Sequence, residues 1–445
     1  MMCRTAAARE HSGMVTRTRN RTRPHTRGTA YATAALVLAA ACAVPSTVAA
    51  VTDPGSVVLS PPEPTGPHAV GRTELHLVDE GRAHPWAEGA GDRDVMVSLW
   101  YPAEADGDAE RAPYLSPAMG SFLASELEQA GLPRSAVDHA ASGANALEGA
   151  DADPDAGPFP VVLYSPGFGT SRFTSTANAE ELASRGYVVA AMDHPYEAPA
   201  VDLPDGRVLR TRVPNTETPA YRDAITIRVA DTRLVLDALD ELAAGGSPQA
   251  GDEPLPAGLA ESLDTDRTGM FGHSAGGLTA AEVMLVDERV DAGMNLDGTM
   301  AYHAGDEVWA DATTRGADRP FALLMAGTSS SRGVPRTSGH NEDLRLFRAA
   351  SSAPVLELYM PEAEHMGLMD YQWLLPAVEE GRGADHRTWR ETVEGAISTV
   401  DPEASVAAQR AYITAFFDSH LRGEEEPLLD GPSPEYPEVA FVDAP

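Results

Sequence analysis

The run Gly272-His273-Ser274-Ala275-Gly276-Gly277 follows an apolar stretch at Gly269 to Phe271 and precedes a helix-compatible segment carrying Leu278, Val283 and Met284. A serine with glycine two places away on either side, set between a strand and a helix, marks a turn so sharp that only small residues fit beside it. The serine hydroxyl then projects above the sheet, and the backbone N–H of Ala275 faces the same space. The alternative is a glycine-rich turn that merely packs a helix on its strand.

The surrounding chain alternates strand and helix, the pattern of a mostly parallel sheet with helices on both faces. Strands are predicted at Thr73 to Val78, Asp94 to Tyr101, Val161 to Tyr164, Tyr187 to Met192, Ala292 to Asn295, Phe321 to Met325 and Val355 to Tyr359. Helices are predicted over Thr174 to Ser184, over Tyr221 to Ala244 with Ile225, Val229, Leu236 and Leu239 on one face, and from Asp401-Pro402-Glu403 to near Gly423. The segment Pro117 to Ala130, with Met119, Phe122, Leu123 and Leu127, reads as a helix able to cap a site or as an ordinary surface helix. Ala103 to Arg111 and Gly143 to Gly157 read as loops. The expected division is a signal peptide at 1–49, a loose lead-in at 50–70, one catalytic domain at 71–423 and a flexible acidic tail at 424–445.

A serine hydroxyl needs a base to take its proton, and the base needs a carboxylate to hold its tautomer and stabilise the imidazolium. On elbows of this kind the three groups follow in the order serine, acid, histidine. His365 is the expected base, because Pro361-Glu362-Ala363-Glu364 carries it just past a late strand; His303, His340, His386 and His420 follow no strand so directly. Asp297 is the expected acid, in Asn295-Leu296-Asp297-Gly298 just past the strand after the nucleophile helix. Asp343, in a polar stretch opening a later helix, is its competitor. An oxyanion needs two N–H donors. Ala275 supplies one, and Phe168 in Ser165-Pro166-Gly167-Phe168-Gly169 supplies the other, unless that loop is a simple turn.

Composition narrows the partners and the compartment. The 67 acidic residues outnumber 33 basic ones, all arginine, for a formal net charge of −34. Such a surface disfavours nucleic acid and anionic lipid and favours solubility by self-repulsion. Arg17, Arg19, Arg21, Arg23 and Arg27 precede an apolar run from Ala30 to Val44, followed by small residues to Ala50. That is the order of a secretory signal peptide cleaved near Ala49 or Ala50, and the run is short of the roughly 20 residues needed to span a bilayer. Lipidation at Cys42 is the minor alternative. Cleavage would leave a chain with no cysteine and a formal charge of about −40. No calcium-loop pattern occurs, and the carboxylates read as solvated surface, so no metal and no cofactor is expected. His194, in Met192-Asp193-His194-Pro195, reads as a structural histidine at a strand end or as a residue of the site's mouth.

These residues resemble the platelet-activating factor acetylhydrolase family, its plasma and intracellular type II members, with the related secreted bacterial lipases. The matching segments are Leu99-Trp100-Tyr101-Pro102, Ser165 to Gly169, Ala183-Ser184-Arg185-Gly186-Tyr187-Val188-Val189-Ala190-Ala191, Gly272 to Gly277, Leu296-Asp297-Gly298, and His365 with Asp370 following. The resemblance spans roughly residues 70–423. It implies an α/β-hydrolase fold, the set Ser274, Asp297 and His365 with Phe168 and Ala275 as oxyanion donors, and calcium-independent hydrolysis of carboxylic esters, in some members the short sn-2 chain of a phospholipid. Pro166 stands where many animal members have histidine, and 113–141 contributes none of these matching segments, which leaves acyl and headgroup preference open.

The expected protein is therefore a secreted serine ester hydrolase, lipase or esterase, acting through an acyl-enzyme on Ser274. Its partners are a small ester or lipid and a transient lipid interface. The alternatives are an amidase or peptidase, a cutinase-like polyester hydrolase, and a non-catalytic binding module of the same fold.

Overall fold

The strand that leads into Ser274 sits in the middle of an eleven-stranded sheet. The computed structural model describes residues 55–104, 109–153, 157–215, 217–303, 307–328, 333–382 and 387–443. The predicted signal peptide at 1–49 lies outside them. Strands run in chain order as β1 (Ala69–Ala83), β2 (Asp92–Ala103), β3 (Arg111–Pro113), β4 (Gly143–Glu148), β5 (Phe159–Ser165), β6 (Val188–Met192), β7 (Ala200–Asp202) and β8 (Val208–Arg210). They continue as β9 (Leu263–His273), β10 (Val290–Leu296), β11 (Ala301–His303), β12 (Val308–Trp309), β13 (Phe321–Ala326), β14 (Val355–Met360) and β15 (Ala440–Phe441). The main sheet has the order β15-β14-β13-β10-β9-β5-β6-β2-β1-β4-β3. Six neighbouring strands from β6 to β14 are parallel, and β2 joins β6 antiparallel. This is the mostly parallel, helix-flanked sheet of the α/β-hydrolase fold.

Strands β5, β6 and β13 are buried along their whole length and read as apolar runs, as in Phe159-Pro160-Val161-Val162-Leu163-Tyr164. Helices α1 (Pro117–Gln129), α2 (Thr176–Ser184), α3 (Thr218–Ala243), α4 (Ala275–Met284), α5 (Asp311–Arg315), α6 (Glu342–Ala350), α7 (Tyr371–Arg382), α8 (Arg387–Ile397) and α9 (Pro402–Phe417) complete the described elements. One core joins the sheet to α3, α4 and α6 through Leu236, Leu239, Leu278, Val283 and Phe347. The other face carries α2 and α9 through Leu182, Ala183, Ile413, Phe416 and Phe417. A third cluster ties α1 to α7 and α8 through Leu123, Leu127, Leu375 and Trp389. Among the described residues no helix is long and apolar enough to cross a membrane.

Three expectations need correction. The stretch 143–157 holds strand β4, whose Asn145 and Ala146 N–H groups donate to the buried Glu180 carboxylate at 2.7 and 2.8 Å. The segment 427–443 is not a loose tail: Ala440 and Phe441 pair with β14, and Val439 is buried. The lead-in is anchored as well, since Leu59 is fully buried and its N–H donates to Ser142 Oγ at 2.9 Å. In all three cases the ordering comes from partners distant in sequence.

Candidate active site

Parallel pairing brings three loops to one place. Register pairs Ser165 of β5 with Gly272 of β9 and Leu296 of β10 with His273, so the chain after each strand emerges beside Ser274. Ser274 takes φ 54° and ψ −115°, a conformation costing a non-glycine residue about 1–3 kcal/mol. It is held there by its N–H to Leu296 O at 2.8 Å and by the Gly277 N–H to its own carbonyl at 3.0 Å. Gly276 is obligatory for a packing reason: a Cβ there would stand 1.8 Å from the Ser165 carbonyl oxygen. The elbow and the loop after β5 are thus in backbone contact.

Asp297 is buried and has φ 53°. Asp297 itself takes the left-handed conformation, while Gly298 is needed because a Cβ there would meet the Ser274 carbonyl oxygen at 2.2 Å. The Asp297 Oδ2 accepts from His365 Nδ1 at 2.5 Å, and Oδ1 accepts from the Ala326 N–H at 3.0 Å. Arg336 forms an ion pair with Oδ1, Nε standing 2.8 Å away, and its Nη2 donates to the Asp297 carbonyl at 3.0 Å. Burial raises the carboxyl's pKa, but Arg336 and then His365 outweigh it, and the group lies below its ordinary value. An ionised Asp297 can only accept, so His365 carries its proton on Nδ1 and leaves Nε2 as the basic nitrogen.

His365 opens a short turn, His365–Leu368, directly past β14, and its side chain is about one-third exposed. Its backbone carbonyl accepts from His273 Nε2 at 2.8 Å, and the two rings lie 4.5 Å apart. Burial, then the neighbouring His365, pushes the His273 imidazole down to about 3. It is a neutral strut that adds no positive charge beside His365. Sequence reasoning missed both His273 and Arg336; the first lay in plain sight inside the elbow motif, and the second had no local signal.

Ala275 opens α4 immediately after the serine, and Phe168 lies in the loop after β5, its ring 5.5 Å from that of Tyr221. Among the described residues neither backbone N–H is taken up by a hydrogen bond. The competitor acid Asp343 is elsewhere engaged: buried in the first turn of α6, it accepts from the Met300 N–H at 3.0 Å. His340 Nδ1 contacts Thr337 Oγ1 at 3.0 Å, and His420 sits in the turn after α9. Of the capping segment, Met119 and Leu123 are buried, Met119 beside Phe173. Among the described residues, the carboxylates Asp418, Glu424 and Glu426 converge enough to consider a metal; they lie in and after that same turn and share no residue with this site.

A strained serine on a strand-to-helix elbow, beside a histidine bonded to a buried carboxylate on a mostly parallel sheet, is the arrangement of a hydrolase of the α/β-hydrolase fold. The chain belongs to the platelet-activating factor acetylhydrolase, isoform II family, whose model matches residues 56–313. It is 28% identical over 423 residues to a probable 1-alkyl-2-acetylglycerophosphocholine esterase of Arthroderma benhamiae, covering 90% of this chain and 98% of that one. The platelet-activating factor acetylhydrolase of Cavia porcellus is 28% identical over 166 residues, 34% of this chain and 37% of that protein. Among solved structures, a ferulic acid esterase from Streptomyces cinnamoneus matches with a TM-score of 0.66 and 35% identity, covering 86% of this chain and 99% of that one.

Proposed function

We propose that this esterase works through an acyl-enzyme on Ser274. The observation that carries the reading is the Asp297–His365 hydrogen bond of 2.5 Å, next to a serine held at φ 54°. Ser274 Oγ attacks the ester carbonyl carbon while His365 Nε2 takes its proton. The oxyanion is held by the N–H groups of Phe168 and Ala275. His365 then gives the proton to the leaving alkoxide, and water, activated by the same nitrogen, releases the acid and restores the serine.

The substrate we propose is a lipid ester with a short acyl chain, in keeping with the Arthroderma benhamiae relative that matches along almost its whole length. A second reading, an aromatic-acid ester, is favoured by the Streptomyces cinnamoneus esterase, whose identity to this chain is higher. Purified protein and Ser274→Ala would be compared on p-nitrophenyl esters from acetate to palmitate, on a 1-alkyl-2-acetylglycerophosphocholine and on methyl ferulate. Activity that peaks at acetate and extends to the phospholipid supports the first reading, and a preference for the ferulate replaces it with the second. Full activity in Ser274→Ala would remove the serine from the mechanism. We also propose export by way of the arginine-led N-terminal leader, for which N-terminal sequencing of the exported chain should read from at or next to Ala50.

A further inference from the structure

Behind the loop Ser165 to Gly169 lies a second chain of serine, histidine and aspartate. Ser165 Oγ is 2.9 Å from His194 Nε2, and His194 Nδ1 is 2.9 Å from Asp231 Oδ2. Asp231 is paired in turn with Arg93 through Nε at 2.6 Å and Nη2 at 2.5 Å, and with Arg82 Nη1 at 2.8 Å. The order imitates a nucleophile relay, but Ser165, His194 and Asp231 are all buried to within 1% of full enclosure, so no ester reaches them. Their use must lie in what they hold.

What they hold is Arg228, a fully buried guanidinium on α3. Its Nη1 donates to Pro166 O at 2.6 Å and Ser165 Oγ at 3.1 Å, and its Nη2 donates to Gly167 O at 3.0 Å. Glu197 neutralises it, accepting from Nε at 2.9 Å and from Nη2, and also accepts from the Gly169 N–H at 3.2 Å. One ion pair therefore grips the backbone on both sides of Phe168. The Gly167 carbonyl is held further by Thr170, through its N–H at 3.1 Å and Oγ1 at 2.9 Å.

A trans peptide is planar, with its C=O and N–H pointing opposite ways. Fixing the Gly167 carbonyl toward Arg228 turns the Phe168 N–H away from it. We propose that Arg228, backed by Glu197 and by the buried chain Ser165, His194 and Asp231, is a positioning residue that locks this peptide with its N–H facing the reacting ester. The proposal rests on the reading of Phe168 as an oxyanion donor. A buried cation on the carbonyl side also polarises the peptide and strengthens the N–H as a donor. Proton directions agree throughout: Arg228 donates to Ser165 Oγ, the serine hydroxyl donates to His194 Nε2, and Nδ1–H donates to Asp231. That order needs a neutral His194, and burial followed by the charge of Arg228 keeps its pKa below the ordinary value.

The test uses a matched pair, p-nitrophenyl acetate and its thionoester analogue, in which sulfur replaces the carbonyl oxygen and the N–H donors grip poorly. For Arg228→Lys and Arg228→Met we expect kcat on the oxyester to fall about 10- to 100-fold with KM nearly unchanged, against the 100- to 1,000-fold typical of losing a donor outright. The lysine variant should lose less than the methionine one, and both should lose far less on the thionoester. Ser165→Ala, which removes one support and keeps the guanidinium, should show the same pattern in milder form and serves if the Arg228 variants fail to fold by thermal melting. Equal losses on both esters, a rise in KM alone, or unchanged oxyester turnover in a folded variant overturns the proposal. If the unmodified enzyme shows no preference for the oxyester beyond that of hydroxide ion, the oxyanion reading itself falls, independently of any variant.

Discussion

At the scale of single residues, the site depends on groups whose charge states are set by their neighbours. Asp297 is acidic beyond its ordinary value because Arg336 and His365 outweigh burial. A carboxyl depressed in the fold contributes stability above its unfolded value, and that contribution is lost as pH falls through the folded value. Arg336→Leu should therefore move the acid-side loss of both stability and kcat/KM to higher pH, as followed by melting temperature and p-nitrophenyl acetate turnover between about pH 3 and 7. Superimposable acid limbs for the variant and the parent would show that Arg336 does not tune this carboxylate. Ser274, Asp297 and His365 could be picked out from the sequence because each follows a strand in a recognisable order. Arg336 and Arg228 could not, since neither their spacing nor their flanking residues distinguish them from the other arginines.

At the scale of elements, two joints make testable claims. Asp370, at the start of α7, accepts from the N–H groups of Thr176 and Ala177, each at 3.1 Å, and from the Tyr114 hydroxyl at 3.0 Å, clasping the first turn of α2. Burial nonetheless pushes its carboxyl up from 3.8 to about 7, the hydrogen bonds only partly opposing it. An acid raised in the fold binds its proton more tightly when folded, so stability should decline from about pH 4 to 7, by at most about 4 kcal/mol, and then level off. Asp370→Asn should flatten that decline in melting temperature, and an unchanged slope would assign it to other groups. The second joint is β15. Ending the chain after Glu438 removes the pairing with Leu358 and Tyr359 and the buried Val439, and should cost about 2 kcal/mol in denaturant unfolding. A loss near zero would mean that the strand only decorates the edge of β14. β15 is two residues long and β4 turns only Ala144 and Ala146 inward, so neither stood out in the sequence; each is ordered by its neighbours, β14 in one case, β1 and the Glu180 carboxylate in the other.

At the scale of the whole molecule, the net charge of −34 is carried by a surface whose cations are all arginine. Like charges on such a surface repel, and salt shortens their reach from about 10 Å at 0.1 M to about 3 Å at 1 M. Raising NaCl from about 0.05 to 1 M should therefore raise the melting temperature by several degrees, most of it below about 0.3 M. A flat or falling curve would show that the arginine ion pairs, weakened by the same salt, outweigh the repulsion.

The sequence by itself determined the parallel sheet and the elbow at Ser274, and it singled out Asp297 and His365, which the structure joins by a hydrogen bond. Those features are written in local patterns: apolar runs with β or helical period, glycines where backbones nearly touch, and polar residues just past strand ends. Only the tertiary structure decided which arginine faces Asp297, which one turns the Gly167–Phe168 peptide, and that His194 belongs to a buried support and not to the mouth of the site. A guanidinium is long and its charge acts through space, so its partner is set by where helices and loops meet after the sheet has formed. Nothing within a few residues of Arg228 or Arg336 encodes that meeting.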